Sequence, residues 1–205
     1  MNIFQMKTKP HGIERFRQFI DEGFVCIGWP GIGDLEQASI DEIRSRIKKA
    51  YKYEAHKLGN ALGQVNTFVN TMKTGDIVFI VENDYTYVGK VGKYVYEEQY
   101  DNDKDGMCHR RSVEWIDRNL INELDSGIQK LISNRNTICK YPQSIKESEL
   151  SKLVGKQASI DKENLEKLDE LFINALKILE EELKSTDPGR RLKAATELIR
   201  LKRNQ

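Results

Sequence analysis

The sequence predicts an α+β fold: a sheet of short neighbouring strands flanked by helices, followed by a C-terminal helical hairpin. Three observations carry this. Before residue 142, segments with apolar residues at helical spacing are interleaved with segments in which aromatic and β-branched residues alternate with polar ones. Turn residues such as Gly23, Gly75-Asp76 and "DNDKDG" separate them. From Asp161 onward the helical period alone persists.

The elements follow in order. "GIERFRQFIDEG" (12–23) places Ile13, Phe16, Phe19 and Ile20 at helical spacing, with Gly23 to stop the helix, and leads into the strand "FVCIG". After a loop around Trp29, "SIDEIRSRIKKAY" opens on Ser39 with Glu42 three residues on, a capping box, and Ile43, Ile47 and Tyr51 share one face. A third helix is expected over "ALGQVNTFVNTM", and Gly75-Asp76 leads into a strand within "TGDIVFIVEND". "YTYVGKVGKYVYEEQY" (85–100) and "MCHRRSVEWI" (107–116) form a hairpin with a long polar tip. "SGIQKLISNRNTICKYP" reads as a short helix and a closing strand that ends at Pro142.

Residues 143–160 are polar and poorly periodic, as in a linker. Beyond them Leu165, Leu168, Phe172, Leu176, Leu179 and Leu183 keep a helical period. A further helix begins with Asp187 as N-cap and Pro188 at its first position, with Leu192, Ala195 and Ile199 on one face. The expected organisation is a domain over 1–142, a linker over 143–160 and a helical hairpin over 161–205. Neither apolar stripe of the hairpin can be buried alone, so the helices must pack on each other, on the main domain or on a second copy of the chain, and a homodimer, or alternatively another protein partner, is expected there.

Composition narrows the function. No run reaches the roughly 18 apolar residues of a membrane span and no signal-peptide h-region opens the chain, so a cytoplasmic protein is expected. The three cysteines Cys26, Cys108 and Cys139 are widely spaced, which favours neither a disulfide framework nor a zinc site. A net charge of +1 gives no whole-chain argument for nucleic acid, although "PGRRLKAATELIRLKRNQ" is locally basic.

The glycines of "GWPGIG" have the wrong spacing for a phosphate loop. "DNDKDG" copies the first half of a calcium loop, but Ser112 stands where the bidentate glutamate belongs. On an alternating strand Cys108 and Arg110 face away from His109 and Arg111, so no metal trio forms locally. No nucleophile has an adjacent base. A non-enzymatic protein without metal or cofactor is therefore expected. What remains is aromatic and basic: Trp29, Phe68, Tyr85, Tyr87, Tyr94, Tyr96 and Trp115, with Lys73, Lys90, Lys93, Arg110 and Arg111 near them in sequence. Such a composition suits stacking a base and holding its backbone.

The order "IGW", "GDL", "NALGQVNTFVNTMKTGDIVFI", "YVGKVGKYVYE" and "HRRSVEW" over residues 1–142 resembles the EVE-like branch of the PUA superfamily, in particular reader domains attached to modification-dependent restriction endonucleases of the Mrr and McrB kinds. The resemblance implies a small, curved, mixed β-barrel flanked by helices, and an aromatic pocket for one extruded base, commonly a methylated one. Carried over, it places Trp29, Pro30, Asp34, Leu35, Asn66, Thr67 and Tyr87 in or beside the base pocket, and gives Trp115 a core or rim role. Lys73, Lys90, Arg110 and Arg111 are the expected contacts to the nucleic-acid backbone. The C-terminal "DP…RLKAA…L" pattern resembles helices of phage small terminase subunits. The expectation is a reader of modified nucleic acid, DNA rather than RNA, in phage defence or counter-defence. The alternatives are an interaction or oligomerisation module and a pocket for a free nucleotide.

Overall fold

The computed structural model describes residues 1–153 and 173–203. Strands β1 (Ile3–Met6), β2 (Phe24–Ile27), β3 (Ile77–Glu82), β4 (Tyr85–Tyr96), β5 (His109–Leu120) and β6 (Ile138–Lys140) form one sheet in the order β2-β5-β4-β3-β1-β6. It is mixed: β1 and β3 run parallel, and every other neighbouring pair is antiparallel. The sheet curls into a half-barrel, so the α+β class stands.

Strand β1 was not expected. Its four residues are all buried, because Phe4 and Met6 enter the core on one face of the sheet while Ile3 enters the core on the other. A short strand buried on both sides shows no alternation for pattern reading to find.

On one face lie α1 (Phe16–Asp21), α2 (Ile40–Tyr51) and α3 (Ala55–Asn66), around a core that includes Phe4, Phe19, Ile27, Leu35, Ile43, Ile47 and Phe68. Helix α2 starts as its capping box predicts, with Ser39 Oγ accepting the Glu42 N–H at 3.2 Å. Burial of Ile43 and Ile47 contributes about 1.5–3 kcal/mol each. The helix ends at Lys52, whose left-handed backbone (φ 53°) reverses the chain. Helix α3 begins earlier than its apolar pattern implied and finishes in a π-turn over Thr67–Thr71.

The opposite face carries Ile3, Ile77, Phe79 and Val88 under α4 (Ser126–Ile132). Helix α5 (Glu147–Leu153) lies in the stretch expected to be a linker, and its Leu150 and Leu153 pack on this second core. The first compact unit accordingly runs over Met1–Gly155 and the second over Lys156–Gln205.

Strands β4 and β5 form the expected hairpin, with two irregularities of register. Between Val91 and Tyr94 strand β4 holds one extra residue, and Gly92 is required there because a Cβ would lie 2.0 Å from Ser112 Oγ. Between Val88 and Gly89 the extra residue is in β5.

In the second unit, residues 173–182 form α6 and Pro188–Arg203 form α7. Asp187 caps α7 as expected, its Oδ1 accepting the Gly189 N–H at 2.7 Å, and Arg190 Nε donates to Glu182 Oε2 at 2.7 Å. The covered face of α7 differs from the expected one: it follows Ala194, Ala195 and Leu198, while Leu192 and Ile199 are exposed. Leu165, Leu168 and Phe172 lie outside the described residues. No helix among the described residues is long and apolar enough to cross a membrane.

Candidate functional site

The loop that follows β2 is fastened at five points. Pro30 O accepts the Tyr51 hydroxyl at 2.7 Å, and the Gly31 N–H reaches Asp101 Oδ1 at 2.5 Å. Arg46 Nη1 donates to Ile32 O at 3.2 Å and to Asp34 O at 2.5 Å, and the Leu35 N–H meets the Tyr94 hydroxyl at 3.2 Å. These bonds come from α2, β4 and the hairpin tip, so three separate elements fix one loop. The constraint has an object: Trp29 sits in the left-handed region at φ 78°, a conformation that costs a bulky residue on the order of 1–3 kcal/mol.

Trp29 lines a cavity of about 260 Å³ together with Lys9, His11, Gly28, Tyr51 and Tyr53. The left-handed turn at Lys52 brings Tyr51 and Tyr53 side by side, with ring centroids 5.1 Å apart and planes tilted by 45°. His11 is left-handed as well (φ 52°). It fits because Gly28 and Gly106 leave it room: a Cβ at Gly106 would lie 2.4 Å from His11 Cβ, and one at Gly28 would lie 2.9 Å from His11 N. Three left-handed non-glycine residues thus line or shape this one cavity, and such strain collects where a surface is built for a ligand. A larger recess of about 460 Å³ between α4 and β6, lined by Lys130, Leu131, Cys139 and Tyr141, contains no such residue.

Under the loop lies His109, fully buried, stacked on Tyr94 (centroids 6.1 Å apart, 23° between planes) and flanked by Tyr96 at 5.8 Å. The Tyr94 hydroxyl receives the Leu35 N–H, so its own proton is directed to His109 Nδ1 at 2.8 Å. The ring proton then resides on Nε2, which has no hydrogen-bond partner among the described residues. Burial lowers the His109 pKa to about 4. The Trp29 backbone, close but without normal hydrogen-bond geometry to Nε2, and the carboxylates of Asp101 and Asp34 oppose this less strongly. The ring is neutral at pH 7.

Asp101 ties the hairpin tip to the loop. Besides the Gly31 N–H, it accepts the Tyr96 hydroxyl at 2.5 Å and the Cys108 thiol at 3.4 Å. Burial resists ionisation of Asp101, but these hydrogen bonds, with a smaller contribution from His109, together hold its carboxyl below the usual range. The Cys108 thiol is pushed up to about 12, first by burial and then by the Asp101 charge, so it is protonated and no nucleophile. Asp101→Asn is expected to lower stability at pH 7 by about 1 kcal/mol, since an amide cannot accept all three donors. A group with a depressed folded pKa stabilises above its unfolded value and loses that contribution as pH falls through the folded one. The gap between variant and parent should therefore close below about pH 3.9 in thermal melts, and a gap that stays constant with pH would remove the carboxylate from the account.

The residues singled out from sequence separate into three groups. Trp29 lines the cavity, and Pro30 is buried behind it with its carbonyl on Tyr51. Asp34 is exposed, and its side chain accepts the Glu36 N–H at 2.8 Å. Leu35 is fully buried and belongs to the core, a correction to its placement in the pocket. Asn66 and Thr67 serve the end of α3: Asn66 Oδ1 accepts from Asn70, and Thr67 donates to Gly63 O. Tyr87 packs edge-on against Phe16 at 5.0 Å. Of the seven expected pocket residues only Trp29 lines the cavity; Pro30, Asp34, Leu35, Asn66, Thr67 and Tyr87 do not, because they are engaged in the loop, the core or the end of α3. Trp115 packs on the core and donates to Phe19 O at 2.9 Å.

Of the expected backbone contacts, Lys73 and Lys90 are exposed. Arg110 donates to Met107 O at 2.9 Å and lies between the rings of Phe24 (4.3 Å) and Tyr100 (4.1 Å). Arg111 is only 4% exposed and donates to the carbonyls of Phe68, Gly92, Val69 and Met72 at 2.9–3.0 Å. It holds the fold and is not free for phosphate, which corrects its expected role. Sequence reading missed Lys9, His11, Tyr51 and Tyr53 as pocket residues. The available signal was "YKY" at the end of a capped helix.

Fold and site together define an α+β domain with a half-barrel sheet and a preformed aromatic cavity at its rim. The chain belongs to the family described as a domain of unknown function, DUF8426, whose model matches residues 5–140. That span runs from β1 to the end of β6 and contains the whole cavity. No curated protein and no solved structure is significantly similar to the chain. Among the described residues no group of three or more His, Cys, Asp or Glu is placed to hold a metal.

Proposed function

We propose that the Trp29 cavity binds a single nucleic-acid base, preferentially a modified one, and that the domain acts as a reader without catalysing a reaction. The observation that carries this is the convergence of Trp29, Tyr51 and Tyr53 on a cavity whose loop is fixed in advance. At about 260 Å³ the cavity falls just under the roughly 300–1,000 Å³ of sites for drug-sized ligands, a size suited to one planar ring. Preorganisation matters because a loop already held in a strained state need not be ordered by the ligand. A reader role accords with a protonated Cys108 and with a His109 that is buried under the loop and serves no nucleophile. The preference for DNA and the setting in phage defence or counter-defence rest on the resemblance to EVE-like readers.

Stacking one base on an aromatic wall contributes about 1–3 kcal/mol, while extrusion from a duplex costs a few kcal/mol and is easiest for a weakened or unpaired base. Trp29→Ala should therefore weaken binding of a modified base by about ten- to a hundredfold and erase the preference over the unmodified control. Calorimetry on DNA and RNA oligonucleotides carrying methylated adenine, or methylated or hydroxymethylated cytosine, with free nucleotides alongside, measures this. Equal affinity across the panel, unchanged in the variant, refutes the reading. Tight binding of free nucleotides alone would assign the cavity to a small-molecule signal.

A further inference from the structure

We infer that the phosphodiester backbone of a bound nucleic acid crosses the basic corner where α2 meets α3. It does not follow the β4–β5 hairpin. The inference rests on the base-reading proposal for its ligand class and on charge placement for its location.

Residues 44–57 carry Arg44, Arg46, Lys48, Lys49, Lys52 and Lys57 against Glu54 alone. The two arginines are engaged, Arg46 with the Trp29 loop and Glu42, and Arg44 with Asp41 at 4.0 Å. Lys48, Lys49 and Lys52 are exposed and have neither an ion pair nor a side-chain hydrogen bond among the described residues. They are not remote from the cavity, since Lys52 stands between Tyr51 and Tyr53, both of which line it. Lys57 Nζ sits 4.1 Å from the centroid of Tyr53, whose ring lines the cavity.

The helix dipole accounts for only part of this cluster. Lys48 and Lys49 occupy the last turn of α2, where cations are favoured. Lys57 occupies the first turn of α3, three residues after its N-cap Glu54, and there a cation opposes the dipole. A local excess of positive charge at both helix ends favours an anionic ligand within a Debye length of the cavity, whereas the hairpin tip, which brings Asp101 and Asp103 into a recess shared with Ala50 and Tyr51 and places Asp103 Oδ1 3.7 Å from His11 Nε2, disfavours one on its own side. A polyanion whose base enters the cavity supplies that charge at adjacent phosphates. The hairpin arginines do not compete for this role, because Arg110 is held between two rings and Arg111 is buried.

The test uses the full chain with Lys48→Gln, Lys49→Gln and Lys52→Gln combined, all exposed positions that leave the core untouched. Labelled single-stranded oligonucleotides with and without N6-methyladenine are titrated between about 50 and 200 mM salt, where counterion release gives a slope of about 0.7 per phosphate contact. The triple variant should flatten the log–log slope by about 2 and weaken modified and unmodified strands alike, by roughly a hundredfold near 0.1 M salt. Trp29→Ala should instead change the modified-to-unmodified ratio and leave the slope in place. An unchanged slope in the triple variant, with Lys73→Gln and Lys90→Gln flattening it, overturns the inference while the base reading survives. A flattened slope with no effect of Trp29→Ala keeps the corner and removes the base reading. Binding to anionic lipid vesicles with none to either strand overturns both.

Discussion

Arg111→Met is expected to destabilise the first unit by about 4 kcal/mol or more, because it would leave four backbone carbonyls without their donor at roughly 1–3 kcal/mol each. The need for that donor arises from two irregularities of the backbone. Helix α3 ends in a π-turn, and a helix end leaves carbonyls that its own turns do not satisfy; Phe68, Val69 and Met72 supply three of them. The bulge in β4 takes Gly92 out of the regular ladder and leaves its carbonyl for the fourth bond. One planar guanidinium serves all four and also lies 5.7 Å from the Phe68 ring centroid. Burial lowers the Arg111 pKa, with Asp76 opposing it, and a guanidinium so far above neutrality remains charged. Arg111→Lys should rescue only a fraction, since an ammonium has three donors on a flexible stem and cannot reproduce the fork. Urea unfolding followed by circular dichroism measures both variants. A loss under about 1 kcal/mol in Arg111→Met would mean that water replaces the guanidinium and that this account of the junction is wrong.

The same residue shows why the candidate site was only partly legible. "HRRSVEW" displays two adjacent arginines, and alternation correctly puts them on opposite faces of β5. Whether the inward one meets phosphate or carbonyl depends on a π-turn and a bulge. Both are departures from periodicity, and periodicity is what pattern reading detects. The regular elements were readable for the opposite reason: the Ser39–Glu42 cap, the Gly23 stop and the Tyr/Val alternation of β4 are local signals with local consequences. Strand β1 escaped because its partners β3 and β6 lie far along the chain. Trp29 could be recognised by its glycine and proline neighbours. Tyr51 and Tyr53 reach it only because Lys52 takes a left-handed conformation that a lysine rarely adopts.

Acid should destabilise the unit through His109 well before its carboxylates are titrated. In the unfolded chain this imidazole has a pKa of about 6.5, whereas in the folded unit burial lowers it to about 4. The folded pKa is the depressed one, so the contribution is fully present above about pH 6.5 and is lost as pH falls towards 4, where the unfolded chain takes up a proton that the folded one refuses. A difference of this size corresponds to about 3 kcal/mol over that window. Protonation would also place a second N–H opposite the Tyr94 hydroxyl, forcing that hydroxyl to surrender its donor role while it still holds the Leu35 N–H. The strain falls on the loop that carries Trp29. His109→Gln keeps an acceptor for Tyr94 and removes the titration, so its stability at pH 7 can be lower while its slope between pH 7 and 4 is flatter than the parent's. Chemical denaturation at stepped pH gives the two slopes. Parallel slopes would show that His109 does not titrate in this window, because Asp101 is common to both chains and its limb lies below about pH 3.9.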